Sequence, residues 1–217
     1  MLQQALLDWW FSPWTYAPRM PARMLPSEDE LGRRDGYRLW CEQAGIAADL
    51  PFHFDPAWSI AATSDSGQLR SAARLFAGLI AAREHDHALL SALPLAERKW
   101  CASIASVQPL NRLYSGDPVA DDSLETRGLV DLALYLEKGF PGLWSRLRLL
   151  LPEPLAADVD ALLQAMPTAT DSSRGSVRAQ RCWRLCADRA VTASKQPEKV
   201  STKEEHSTAE HDVVRYA

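Results

Sequence analysis

The sequence predicts a mainly α-helical protein: a single compact multi-helix domain over residues 1–192, built around a central amphipathic helical hairpin, with a disordered polar tail over residues 193–217. Three observations carry this expectation. Apolar residues recur at helical spacing in several segments, most clearly Leu129, Leu132, Ala133, Leu136 and Phe140, which fall on one stripe of a helix. No run shows the two-residue alternation of a strand, and no internal repeat is evident. From Ser194 onward the chain reads SKQPEKVSTKEEHSTAEHDVVRYA, too polar and charged to bury the surface that would offset ordering entropy.

A chain of 217 residues suits one full-sized domain, with or without tails. Its hydrophobic share of 47% and its eight tryptophans are enough to build a core. The formal net charge of −4 argues against general affinity for nucleic acid. The charge is uneven, however: Arg174, Arg178, Arg181, Arg184 and Arg189 face only Asp188, a local +4. Cys41, Cys101, Cys182 and Cys186 are too few and too scattered for a disulfide framework. The opening MLQQALLDWW lacks the basic and long apolar regions of a secretory signal, and no run approaches the roughly 18 apolar residues of a membrane span. These features together predict a reduced, soluble, cytoplasmic protein.

Taken in order, residues 2–11 predict a short helix carrying Leu2, Ala5, Leu6 and Trp9. Pro13, Pro18, Pro21 and Pro26 then forbid a continuous helix, so Trp14 and Tyr16 are expected on an extended, proline-stiffened segment. These rings either plug the edge of the core or form a docking surface, since Trp and Tyr serve as anchors at interfaces. Ser27 and Glu30 have capping-box spacing, which predicts a helix from Glu28 through Leu39, Trp40 and Cys41 to a stop at Gly45. A loop follows, with one helical turn near Trp58.

Leu69, Ala72, Ala73, Phe76, Leu79 and Ile80 predict a helix from Ser66 that continues past His87 to Leu93, where Pro94 breaks it. Residues 95–106 predict another helix and residues 110–113 a short one. Asp122 and Glu125 again have capping-box spacing. The hairpin spans residues 124–151: after the first stripe, Gly139, Pro141 and Gly142 turn the chain, and Leu143, Trp144, Leu147, Leu150 and Leu151 make a second. No other stretch is expected to bury as much apolar surface. Leu155, Val159, Leu162, Leu163 and Met166 predict a helix stopped by Pro167, and residues 177–191 a last, basic one.

Candidate chemistry is sparse. Glu84, His85, Asp86 and His87 form the most metal-like cluster, but adjacent residues on a helix point in different directions, so a solvated helix end is the simpler reading. Cys182 and Cys186 stand at i, i+4 without a second pair, which suits small apolar side chains on a half-buried helix. No Gly-rich phosphate loop, GxSxG elbow or HExxH pair occurs, and no His is placed beside a Cys by its position in the chain. The chain is therefore expected to be non-enzymatic and to need no cofactor or metal. The basic last helix could meet nucleic acid or an anionic membrane surface, but the acidic whole favours a solvated face or an acidic partner protein.

A family resemblance adds to this reading. Phe11-Ser12-Pro13-Trp14-Thr15-Tyr16-Ala17, with Leu25-Pro26 downstream, resembles the opening of the type III secretion SctK family, also called YscK, OrgA or MxiK. Residues 68–94 and 101–113 are similar to its middle. The strongest likeness is Glu125-Thr126-Arg127-Gly128, an apolar helix, and then Leu143-Trp144-Ser145-Arg146-Leu147-Arg148-Leu149-Leu150-Leu151-Pro152. That stretch resembles the family's Glu-Ser-Arg and Arg-Leu-x-Leu-x-Leu-Pro pattern. The likeness covers about residues 5–190; the rich tryptophan content at the start and the long polar tail depart from it.

The resemblance implies a non-enzymatic adaptor of the cytoplasmic sorting platform of a bacterial injectisome, taking part in protein secretion. It would sit peripherally at the cytoplasmic face of the inner membrane. It would link the SctD-type inner-membrane ring to SctQ-type pods, and through them to the SctL stator and the SctN ATPase. The expected partner-binding residues are Trp9, Trp10, Trp14 and Tyr16 on one surface and Arg178, Arg181 and Arg184 on another. Two rival readings are a type III secretion chaperone for an exported protein and a helical nucleic-acid-binding regulator.

Overall fold

The computed structural model describes residues 4–17, 30–63, 65–113, 123–166 and 176–194. Among these residues every regular element is a helix and no strand occurs, as expected for a mainly α fold. The α-helices are α1 (Gln4–Phe11), α2 (Glu30–Ala44), α3 (Ser66–Glu84), α4 (His87–Ser91), α5 (Leu95–Val107), α6 (Leu124–Gly139), α7 (Leu143–Leu147), α8 (Glu153–Ala165) and α9 (Ser176–Ser194). Short 3-10 turns lie at Pro13–Thr15, Pro56–Thr63 and Arg148–Leu150. The last helix runs two residues beyond the expected boundary at 192, and the rest of the expected tail lies outside the described residues.

The centre of the molecule is α3 rather than the hairpin alone. It packs against α4, α5, α6 and α9, and Leu69, Ala72, Ala73, Phe76, Leu79 and Ile80 are all fully buried. Its start is capped by the Asp65 carboxylate, which accepts from the Gln68 N–H at 2.8 Å. The helix does not continue to Leu93. His85 adopts a left-handed conformation (φ 59°), and Asp86 caps a new short helix by accepting from the Leu89 N–H at 3.0 Å. A left-handed residue ends a helix whatever the apolar spacing beyond it.

Against α3 lies α6, the first arm of the expected hairpin. Ser123 caps it, accepting from the Thr126 N–H at 3.1 Å; the expected Asp122 lies outside the described residues. The crossing with α3 is close because Gly128 faces the Ala73 carbonyl: a Cβ at Gly128 would lie 1.8 Å from that oxygen. The corner is sealed by Gly142 in the left-handed region (φ 80°). The second arm differs from expectation. It is the five-residue α7 tightening into the Arg148–Leu150 turn, and Leu151 (φ −85°, ψ 152°) turns extended just before Pro152. Leu143 and Leu147 are fully buried all the same.

Two further expectations are corrected. Trp14 and Tyr16 sit on and beside a 3-10 turn, not an extended segment, because the Thr15 and Tyr16 N–H groups bond back to the Ser12 and Pro13 carbonyls. Residues 110–113 are not helical; the Pro109 and Asn111 carbonyls instead accept from Arg178 and from the Tyr135 hydroxyl. The helical turn expected near Trp58 is present, as a 3-10 helix over Pro56–Thr63 that packs on α1, α7 and α9. The expected start of α2 at Glu28 lies outside the described residues.

Candidate functional site

The two expected surfaces have different fates. The N-terminal aromatic group is organised by Arg146 on α7, which is 0% exposed. Its guanidinium donates to the Trp10 carbonyl at 2.8 Å, the Ala47 carbonyl at 2.7 Å and the Tyr37 hydroxyl at 2.9 Å. It also lies over the Trp10 ring, 3.9 Å from the centroid. Among the described residues no carboxylate pairs with it, so a buried cation is held by neutral oxygens and one aromatic face. The Tyr37 hydroxyl in turn donates to the Ala48 carbonyl. Burial pushes the Tyr16 phenol up to about 12, against the opposing pull of the Arg146 charge.

This cage joins two cores. Trp10 belongs to the main one, stacked on Phe140 with centroids 5.6 Å apart. Tyr37, Trp40, Cys41 and Ile46 form a smaller second core, with Trp14 and Leu149 against it. Trp10 is fully buried and therefore leaves the expected docking set: its ring is covered by Arg146 and Phe140, and its surface is spent inside the fold. Trp9 and Tyr16 stack on each other at 4.5 Å and remain half-buried, as does Trp14, which meets Tyr37 edge-on. Phe11 nearby is 43% exposed.

The second surface is the outer face of α9. Ala179, Cys182, Trp183, Cys186, Ala187 and Ala190 make its buried stripe, so Arg178, Arg181 and Arg184 face solvent together, as the helical period requires. Arg178 is tied to the Pro109 carbonyl at 3.2 Å. Arg181 and Arg184 have no carboxylate partner among the described residues. They line a cleft of about 440 Å³ with Gln180 and Val177 on one side and Ala57 and Ile60 of the Pro56–Thr63 turn on the other. The cleft is braced by the Gln180 amide, which donates to the Asp55 carboxylate.

Other titratable groups are structural. Burial pushes the Cys182 thiol up to about 11 and Cys101 up to about 12, so both stay protonated near neutral pH. The Cys residues of α9 are more than half-buried: both are fully enclosed. His85 and His87 are exposed, and Asp86 between them is used as a helix cap. No three metal-ligating side chains converge among the described residues, and none of their helices is long and apolar enough to cross a membrane.

Asp131 on α6 is, with Arg146, the other fully buried charge that sequence reasoning missed. It is 0% exposed, neither carboxylate oxygen finds a hydrogen bond among the described residues, and burial raises its pKa to about 7 against the pull of Arg112 and Arg127. A folded-state pKa above the unfolded value near 4 means that the folded state holds the proton longer. The contribution of Asp131 to stability is then fully present at acid pH and is lost as pH rises from about 4 to about 7. Asp131→Asn is expected to flatten that slope and to gain roughly 2 kcal/mol at pH 8. Urea unfolding of both proteins across pH 4–8 checks this; parallel profiles would refute it.

A faint signal for both charges was present in the sequence. Arg146 stands three residues after Leu143 and one before Leu147, and Asp131 lies between Val130 and Leu132, each inside an apolar stripe. A charge within such a stripe asks for a buried partner, but the stripe does not say which. Compared with known proteins, the chain matches no protein-family model, no curated protein and no solved structure.

Proposed function

We propose that this chain is a non-enzymatic adaptor of the cytoplasmic sorting platform of a bacterial type III secretion system, placed at the cytoplasmic face of the inner membrane and linking an SctD-type ring to SctQ-type pods. The observation that carries the reading is the SctK-like pattern from Glu125 to Pro152. Two of its residues have demanding structural jobs here: Gly128 permits the close α3–α6 crossing, and Arg146 caps the N-terminal aromatic group. A pattern whose members are structurally constrained is a better family marker than leucines on a helix face, which many sequences can supply.

Adaptors act by binding two partners at once, and two separate surfaces suit that role. One is the half-buried aromatic group of Trp9, Trp14 and Tyr16; the other is the arginine face of α9. The test is co-purification with an SctQ-type protein and with the cytoplasmic domain of an SctD-type protein. Trp9→Ala with Trp14→Ala is expected to weaken one association at least about tenfold and spare the other, as loss of aromatic anchors does. Arg181→Glu with Arg184→Glu is expected to show the reverse pattern. Retention of neither partner by the folded wild-type protein would sink the proposal, and retention of an exported protein instead would favour the chaperone reading.

A further inference from the structure

We propose that the acidic segment 204–214 of this chain docks in the arginine-lined cleft between α9 and the Pro56–Thr63 turn. The inference is independent of the secretion reading and rests on charge, shape and reach. The cleft has two cationic side chains, Arg181 and Arg184, neither of which forms an ion pair with a described carboxylate, since the nearby Asp55 is taken up by Gln180, and an apolar side made by Ala57, Ile60 and Val177. Val177 is 55% exposed although it is aliphatic and stands on a stable helix. Such a cleft suits a peptide that carries both carboxylates and small apolar groups.

The chain itself supplies one. Residues 204–214 read EEHSTAEHDVV, with Glu204, Glu205, Glu210 and Asp212 against no Lys or Arg. Lys195, Lys199 and Lys203 all lie before this segment, so the sequence separates a basic spacer from an acidic end. The spacer starts where α9 stops, on the very helix that carries the arginines. Arg184 lies ten residues before the end of α9, about 15 Å along the axis at 1.5 Å per residue. Nine spacer residues reach up to about 30 Å when extended, enough to fold back and bring Glu204 and Glu205 to Arg184 and Arg181. A tether this short holds the acidic segment at an effective concentration on the order of millimolar, so even weak pairing is populated. A docked tail competes with any other acidic segment for this face.

The test uses the full chain carrying a nitroxide label at Ser207→Cys; the four native cysteines are buried, which directs labelling to the new thiol. Backbone amide NMR then reports proximity. Signals of Ala57, Ile60, Gln180 and Arg181 are expected to lose at least half their intensity, and to recover it in 0.5 M salt or in Arg181→Glu with Arg184→Glu. Adding Glu204→Lys and Glu205→Lys to that double variant is expected to restore the broadening, which a mere loss of folding would not do. Circular dichroism confirms that the variants remain helical.

Full-intensity cleft signals in the wild-type chain would overturn the proposal. So would broadening that arises only between a labelled copy and an unlabelled, isotope-enriched copy, which would make a second molecule the occupant. Shifts of the same amides by an added poly-glutamate peptide, with no broadening from the label, would assign the cleft to an acidic segment of another protein and also overturn it.

Discussion

Replacing Arg146 by Met is expected to destabilise the protein by about 3–5 kcal/mol, because it leaves the buried Trp10 and Ala47 carbonyls without their donor and removes the Tyr37 bond. Two effects oppose each other. Taking a cation out of water costs several kcal/mol even after relaxation, and Met does not incur that cost. The wild-type cage answers with three charge-assisted hydrogen bonds, worth roughly 1.5–3 kcal/mol each, and a desolvated cation–π contact worth about 2. These contributions are already net of desolvation and outweigh the Arg146 Nε left without a partner among the described residues, and the variant also strands the Trp10 and Ala47 carbonyls.

The urea midpoint should fall by about 1–2 M for a chain of this size. Arg146→Lys separates charge from geometry: an ammonium keeps the cation but lacks the planar fork that spans acceptors from α1, α2 and the loop after α2. It is expected to lose about 2–3 kcal/mol. A wild-type midpoint for the lysine variant would show that the cage matters only as a place for positive charge.

Gly128→Ala is the second large effect, and its sign runs against intrinsic preference. In a helix interior Ala is favoured over Gly by about 1 kcal/mol. At Gly128, however, the new Cβ would meet the Ala73 carbonyl oxygen at 1.8 Å and its carbon at 2.5 Å. These are backbone atoms of a buried helix and cannot rotate aside, so α3 and α6 must separate and loosen the packing on both. The expected net loss is about 3 kcal/mol, at the upper end for overpacked cores. That corresponds to a melting temperature lower by about 6–12 °C. Gly67→Ala is the control: its nearest neighbour is the Asp65 carboxylate at 3.4 Å, and it should leave the melting temperature unchanged or slightly higher. Equal losses in the two variants would remove the helix crossing as the cause.

The contrast between these glycines shows what was legible in the sequence. The apolar stripes of α3, α6 and α9 could be read because a helical period is a local property. The core residues they name, such as Leu69, Phe76, Leu132 and Trp183, are indeed buried. What a stripe cannot say is which surface covers it. Gly128 looked like an ordinary glycine, since the atom that forbids a side chain belongs to Ala73. Trp10 and Trp9 looked equivalent as neighbours on one short helix, yet one is sealed by residues 140 and 146 and the other is half-exposed. The break at His85 escaped because apolar spacing continues through it while the backbone does not. The arginine face of α9 was legible from its spacing, but the cleft beside it was not, since its other side comes from the turn more than 100 residues earlier.

The Arg146 cage also sets an order of events during synthesis. Its acceptors lie 136, 109 and 99 residues before the arginine that joins them. At translation rates of about 5–20 residues per second, roughly 5–20 s pass between the emergence of Ala47 and that of Arg146. For that interval Trp10 lacks its cover and the second core lacks its clasp. The first part of the chain to be made is thus among the last to be finished, and its aromatic segment closes only once the far side of the hairpin has left the ribosome.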